Sequence, residues 1–231
     1  MKWKMIICFL LSLAGTRAVA QDINQLVAAA RAKVEKVNDY EASGRMKTNV
    51  AFLKVPVANI KVYFKKPNRL KLKSEKGVSF VPKGAVSLNM SNLFSDNNYT
   101  VIDAGTDKLG GITVRVAKLL PVDDNSDVVL STVYIDPVTS LIRKARTTTK
   151  ENGTFELEMT YGKFADMGLP DKVIFSFNTK DYKLPKGVTF DFDDGTSTAP
   201  KPQDVKNRKG RAEITFSNYI INKGVPDAVF K

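Results

Sequence analysis

Few residues of this chain could do chemistry of the usual kinds. It has no histidine and a single cysteine, Cys8. That leaves no imidazole base, no thiolate beyond one residue near the start, and no familiar zinc set. Carboxylates remain, but Asp191, Asp193 and Asp194 crowd into the run DFDDG. This run lacks the spaced ligands of a full calcium loop and reads as a solvated acidic turn. Gly110-Gly111 is a turn signal without a glycine-rich phosphate loop around it. An enzyme is a poor reading, and neither a metal nor a cofactor is expected. The chain is rich instead in cations: Lys61, Lys65, Lys66, Arg69, Lys71 and Lys73 all fall within NIKVYFKKPNRLKLKS, residues 59–74.

Those cations follow a period of two. Ile60, Val62 and Phe64 alternate with Lys61, Tyr63 and Lys65; beyond Lys66-Pro67-Asn68, Leu70 and Leu72 alternate with Arg69, Lys71 and Lys73. The pattern predicts two strands meeting at a corner, one face apolar and the other mostly cationic. Pro67 cannot donate to a ladder, which suits the corner. The apolar face needs an apolar partner. The wet face suits anionic head groups or an acidic protein, or serves only solubility.

The first twenty residues read as a signal peptide. Lys2 and Lys4 form a charged start, Ile6–Ala14 a short apolar core, and Ala18-Val19-Ala20 before Gln21 a small-residue cleavage site. The run is short for a membrane span, and Met5-Ile6-Ile7 is a poor approach to a lipid-accepting Cys8. Cleavage would lower the formal charge from +12 to +9, since Lys2, Lys4 and Arg17 leave. It would also remove the sole cysteine and the sole tryptophan. Export without disulfides points to a bacterial periplasm, where nucleic acid is the least available anionic partner. The sequons at Asn89, Asn98 and Asn152 are read as chance. Residues 21–231 have a length suited to one domain.

Asp22–Asn38 is predicted as a helix, with Ile23, Leu26, Val27, Ala30, Val34 and Val37 on one stripe and Asp22 with Gln25 as a capping-box-like start. Strands are predicted at Tyr40–Thr48, Tyr99–Ala104, Ile112–Leu119, Val128–Ile135, Ser140–Thr148, Phe155–Tyr161, Lys172–Asn178 and Arg211–Ile221. Ala51–Val57 reads as a connector. Gly77–Val81 and Val188–Phe192 are candidate short strands, and Gly84–Asp96 a short inserted helix. Pro185, Pro200 and Pro202 make most of Thr179–Lys209 loop.

Clean alternation over so many strands marks antiparallel sheet with one wet face. The dry faces hold Met46, Val62, Phe64, Leu70, Leu72, Val114, Val116, Leu157, Met159, Phe175, Phe177, Ile214 and Phe216, more than an Ala/Val helix and a short insert can cover. Either the sheet closes and fills its interior with side chains, or it stays open around an apolar pocket. The pattern alone leaves both open.

The helix, then Tyr40–Thr48, then a basic aromatic strand ending in Lys65-Lys66-Pro67-Asn68-Arg69-Leu70, resembles the outer-membrane lipoprotein carriers, the LolA/LolB-like family. Val133-Tyr134-Ile135-Asp136, Leu141–Ala145 and Thr160-Tyr161-Gly162-Lys163-Phe164 look like that family's central hairpins. The resemblance implies an α+β, mainly antiparallel fold: a half-open β-barrel with the N-terminal helix and the short inserted helix as lid. It implies an apolar hollow for acyl chains of lipoproteins or another lipid, ferried across the periplasm by a monomer without ATP or metal. The hollow is expected to be lined by the dry-face residues just named from Met46 to Phe177, with Met90, Leu93 and Phe94 from the insert. The family's basic residue before proline, commonly Arg, is linked to latching the lid; here it is Lys66. Lys61, Lys65, Arg69, Lys71 and Lys73 are expected to meet head groups or a partner, such as inner-membrane release machinery and an outer-membrane acceptor. The second reading is an envelope module that binds another protein and takes lipid as a signal.

Overall fold

The computed structural model describes residues 22–50, 53–54, 57–67, 69–74, 98–151, 153–178 and 209–231. The expected signal peptide, the candidate strands Gly77–Val81 and Val188–Phe192, the inserted helix Gly84–Asp96 and nearly all of the Thr179–Lys209 loop lie outside the described residues.

Helix α1 spans Ile23–Glu35. The Asp22 carboxylate caps it by accepting the Asn24 N–H at 3.0 Å. Ile23, Leu26, Val27 and Ala30 are buried along one stripe, and Val37, just past the helix, is buried as well. Among the described residues, no helix is long and apolar enough to cross a membrane.

The strands are β1 (Asp39–Val50), β2 (Leu53–Lys54), β3 (Ala58–Lys65), β4 (Arg69–Ser74), β5 (Tyr99–Leu109), β6 (Ile112–Pro121), β7 (Val128–Ile135), β8 (Ile142–Thr149), β9 (Gly153–Thr160), β10 (Lys172–Asn178) and β11 (Lys209–Ile221). Ten of them form one sheet in the order β4-β3-β1-β11-β10-β9-β8-β7-β6-β5, with β2 paired to the end of β1. Every ladder is antiparallel. Among the described residues the sheet does not close, and β4 and β5 stand at its two ends. It is an open half-barrel with a helix against its inner face.

Two details differ from the sequence reading. Part of the Ala51–Val57 connector, Leu53–Lys54, pairs with β1. β5 runs past Ala104 because a bulge between Asp103 and Thr106 absorbs Gly105, whose φ is +81°. A second bulge between Ser43 and Gly44 bends β1 against β11. A Cβ at Gly44 would stand 2.6 Å from the Thr215 carbonyl oxygen, so only glycine fits there.

The inner face holds two clusters. One joins α1 to β6–β10 through residues such as Leu26, Leu119, Val133, Leu157 and Phe175. The other joins Val37 to Met46, Ile60, Val62, Phe64, Ile214 and Tyr219. Polar atoms that enter this interior mostly pair. The buried hydroxyls of Ser131 and Thr147 lie 3.0 Å apart, each meeting the other's need. Asp136 anchors the β7–β8 turn, accepting Val138 and Thr139 N–H and the Arg143 guanidinium at 2.9 Å. Burial alone would raise its pKa; the hydrogen bonds from Arg143, Thr139 and Val138 outweigh that and hold it below the ordinary value.

Thr48 is one of the exceptions. Its hydroxyl is buried on β1 with no hydrogen-bond partner. An unpaired buried hydroxyl costs about 1 kcal/mol or more. Thr48→Val keeps the shape and removes the group, so denaturant unfolding should report a gain of about 1 kcal/mol, and a melting temperature higher by ~2–4 °C. Thr147→Val, which strands Ser131, should move stability the other way.

Candidate functional site

A cavity of about 50 Å³ lies where the two clusters meet, between α1 and the sheet. β3 and β4 supply Val62, Phe64, Leu70 and Leu72; β9 supplies Leu157 and Met159. Across from them stand Val173 of β10 and Ile214, Phe216 and Tyr219 of β11, with Tyr40 of β1 beside Phe64. Val34 and Val37, at the C-terminal end of α1, and the turn Met167–Pro170 complete the wall. Pleating explains the grouping: Met159 pairs with Val173, and Val173 with Ile214, so alternate residues of neighbouring strands fall on one face.

Six residues singled out from the sequence line this cavity: Val62, Phe64, Leu70, Leu72, Leu157 and Met159. Met46, Phe175 and Phe177 do not; they are buried in the packed core beside it. Val114 and Val116 are also buried, but they belong to neither cluster. The ladder sets Val116 opposite Tyr134, whereas Ala117 and Leu119 pair with Val133 and Ser131 of the inner face. Both faces of β6 carry apolar residues, so alternation could not choose between them. Met90, Leu93 and Phe94 lie outside the described residues. Sequence reasoning missed Tyr40, Tyr219 and the Met167–Pro170 turn. Tyr40 could have been found on strand parity; Tyr219 could not, because the bulge opposite Ser43 and Gly44 puts it out of phase with Ala212, Ile214 and Phe216, and the turn has no periodicity to betray it.

The end of α1 is held from two sides. Lys66, in the corner between β3 and β4, donates from Nζ to the Glu35 carbonyl at 2.6 Å and to Asn38 Oδ1 at 3.3 Å. Asn222, at φ +55°, accepts the Asn38 N–H at 2.7 Å and donates to the Lys36 carbonyl at 2.9 Å. These carbonyls are the orphan acceptors of a helix C-terminus, where a cation also meets the negative end of the helix dipole.

No family model matches the sequence, and no curated protein matches it. Solved structures do match by shape. An outer membrane lipoprotein-sorting protein domain from Vibrio parahaemolyticus superposes with TM-score 0.57 at 12% identity, over 89% of this chain and 94% of that one. A DUF1329 family protein from Desulfovibrio piger gives 0.55 at 14%, over 90% and 97%. A LolA superfamily protein from Nitrosomonas europaea gives 0.52 at 8%, over 90% and 96%. The fold is LolA-like.

On this LolA-like half-barrel the cations of β3 and β4 are engaged within the chain. Lys61 pairs with Glu41 at 2.8 Å. Lys65 and Arg69 both reach Asp227, at 2.5 and 2.9 Å, and Arg69 also lies over the Phe230 ring. Lys71 donates to the Lys231 backbone oxygen. Lys73 stands over Tyr63. The 3₁₀ turn Asp227–Phe230 lies against part of that face beside β4. The reason is charge complementarity with a segment far off in sequence. Among the described residues no group of three metal-ligating side chains occurs.

Two outcomes follow from this geometry. Lys66→Met should leave the last carbonyls of α1 short of a donor. Amide exchange at Lys36 and Val37 should rise about two- to fivefold, the effect of one cation at a helix end. Asp227 has its pKa lowered first by the Lys65 hydrogen bond, which together with the Arg69 and Lys65 charges outweighs the opposing cost of desolvation. The turn's hold on β3 and β4 is therefore favoured above the ordinary carboxylate pKa and is lost as pH falls through the depressed folded value. Acidification, or Asp227→Asn at neutral pH, should speed exchange of the Val229 amide, which donates to Pro226.

Proposed function

We propose that the protein is a non-enzymatic carrier of the bacterial envelope. It takes acyl chains of a lipoprotein or another lipid against the inner face of the half-barrel and passes them toward the outer membrane. The observation that carries this reading is the wall of the cavity, which among the described residues holds no charged side chain. Burying a methylene yields about 0.8 kcal/mol, so a sixteen-carbon chain offers on the order of 12 kcal/mol before ordering costs. The thioethers of Met159 and Met167 suit a wall that repacks around chains of different shape. The likeness to a lipoprotein-sorting domain from Vibrio supports the same reading.

A cavity of about 50 Å³ is a third of the ~150 Å³ that accepts a benzene. The described state is thus the closed one, and loading requires the roof to part. The seam is where α1 meets the Met167–Pro170 turn: Lys36 Nζ reaches the Asp166 carbonyl at 3.4 Å, and a Cβ at Gly168 would sit 3.4 Å from Lys33 Cβ. That spacing is close to the reach of a disulfide, at a cost in backbone strain because Gly168 has φ +65°. In the proposed cycle, the Lys66 contact holds α1 down in the empty protein and is broken on loading. Release machinery at the inner membrane and an acceptor at the outer membrane are the partners this role requires.

Two measurements test the proposal. Native mass spectrometry of protein exported from a bacterial host should find co-purified lipid. A clean apo mass would instead favour an envelope module that binds another protein. Lys33→Cys/Gly168→Cys, with bridge formation checked by thiol titration, should lose uptake of a fluorescent fatty-acid probe when oxidised and regain it on reduction. Equal uptake in both states would sink the moving roof.

A further inference from the structure

Of the described side chains lining the cavity, two carry a hydroxyl, Tyr40 and Tyr219. They lie side by side, ring centroids 5.5 Å apart, and Tyr40 is 5.3 Å from Phe64. Their hydroxyls differ. Tyr219 donates to the Pro170 carbonyl at 2.7 Å. No described residue offers the Tyr40 hydroxyl a hydrogen bond, and Tyr40 is partly buried against the apolar cluster. The hydroxyl is not among the fully buried unpaired atoms, so it is open to an occupant that supplies an acceptor. Burial also pushes its pKa up, so it remains a protonated donor across the physiological range.

We infer that the Tyr40 hydroxyl is the polar anchor of the cavity and selects ligands bearing an acyl carbonyl, an ester or amide, over hydrocarbon chains that lack one. The inference rests on the acyl-carrier reading and deepens it. It also orients the ligand. Tyr40 is placed opposite Phe64 in the ladder, next to the corner where Lys66 grips α1. A carbonyl held there puts the chain among Leu157, Met159 and Val173, and directs the head group toward that basic corner.

The test uses a matched pair, 1-dodecanoylglycerol and 1-O-dodecylglycerol, which differ by the carbonyl. Each competes with a neutral fluorescent probe, N-phenylnaphthylamine, bound to the whole exported protein. Wild type should prefer the ester by about threefold to tenfold, the worth of one hydrogen bond. Tyr40→Phe should bind ether and ester alike, with the affinity for ether unchanged. Its melting temperature should not fall, because the hydroxyl removed has no partner in the empty protein. With a ¹³C-labelled carbonyl, the infrared carbonyl band of the bound ester should lie lower in wild type than in the variant. Equal affinity for both ligands in wild type, or a preference that survives Tyr40→Phe, overturns the anchor and leaves the carrier reading standing. Failure of both ligands to displace the probe overturns the carrier reading itself.

Discussion

The structure depends on a mismatch of surface. Among the described residues, ten antiparallel strands, curved but unclosed, present a long apolar inner face, and one α-helix of thirteen residues packs against it. The stripe of α1 is built from small and medium side chains, with Ala30 and Val27 at its centre. Where the helix lies flat on β6–β10 the interior is solid. At its C-terminal end Val34 and Val37 border the cavity. Close packing is worth too much for such a gap to persist by accident, since each void forfeits contacts on every side chain around it.

The polar groups are arranged around that gap in a consistent way. Where hydroxyls enter the solid part of the interior they pair, as Ser131 does with Thr147. At the gap, the orphan carbonyls of α1 are met by Lys66 and Asn222, two side chains from distant parts of the chain that converge on one helix end. The C-terminal end of α1 is thus held by a few polar contacts at its rim as well as by the buried Val37. Contacts of that kind are worth about 1 kcal/mol each and break locally without unfolding the sheet.

The outer surface follows the same economy of charge. Cross-strand pairs such as Lys61 with Glu41 and Lys172 with Glu213 neutralise much of the sheet's wet face. At the β3–β4 edge, Asp227 gathers both Lys65 and Arg69, and Phe230 lies beneath the guanidinium. An edge strand with unpaired backbone is prone to pairing with other chains, and a short covering turn is one of the ways proteins blunt it.

The strands and their wet and dry faces were legible in the sequence, because a period of two in residues such as Ile60, Val62 and Phe64 is fixed by backbone geometry alone. The corner at Lys66-Pro67 and the stripe of α1 were legible for the same reason: each is a local rule. Which apolar residues line a space and which pack solid was not. Leu157 and Phe175 are partners in one ladder, yet Leu157 borders the cavity and Phe175 does not, since that depends on where the helix lies above a curved sheet. Nor could the sequence place Val116, whose strand is apolar on both faces, or show that Lys65 meets Asp227 across 162 positions. Alternation names the face of a residue; only the folding of the sheet around its helix decides what that face meets.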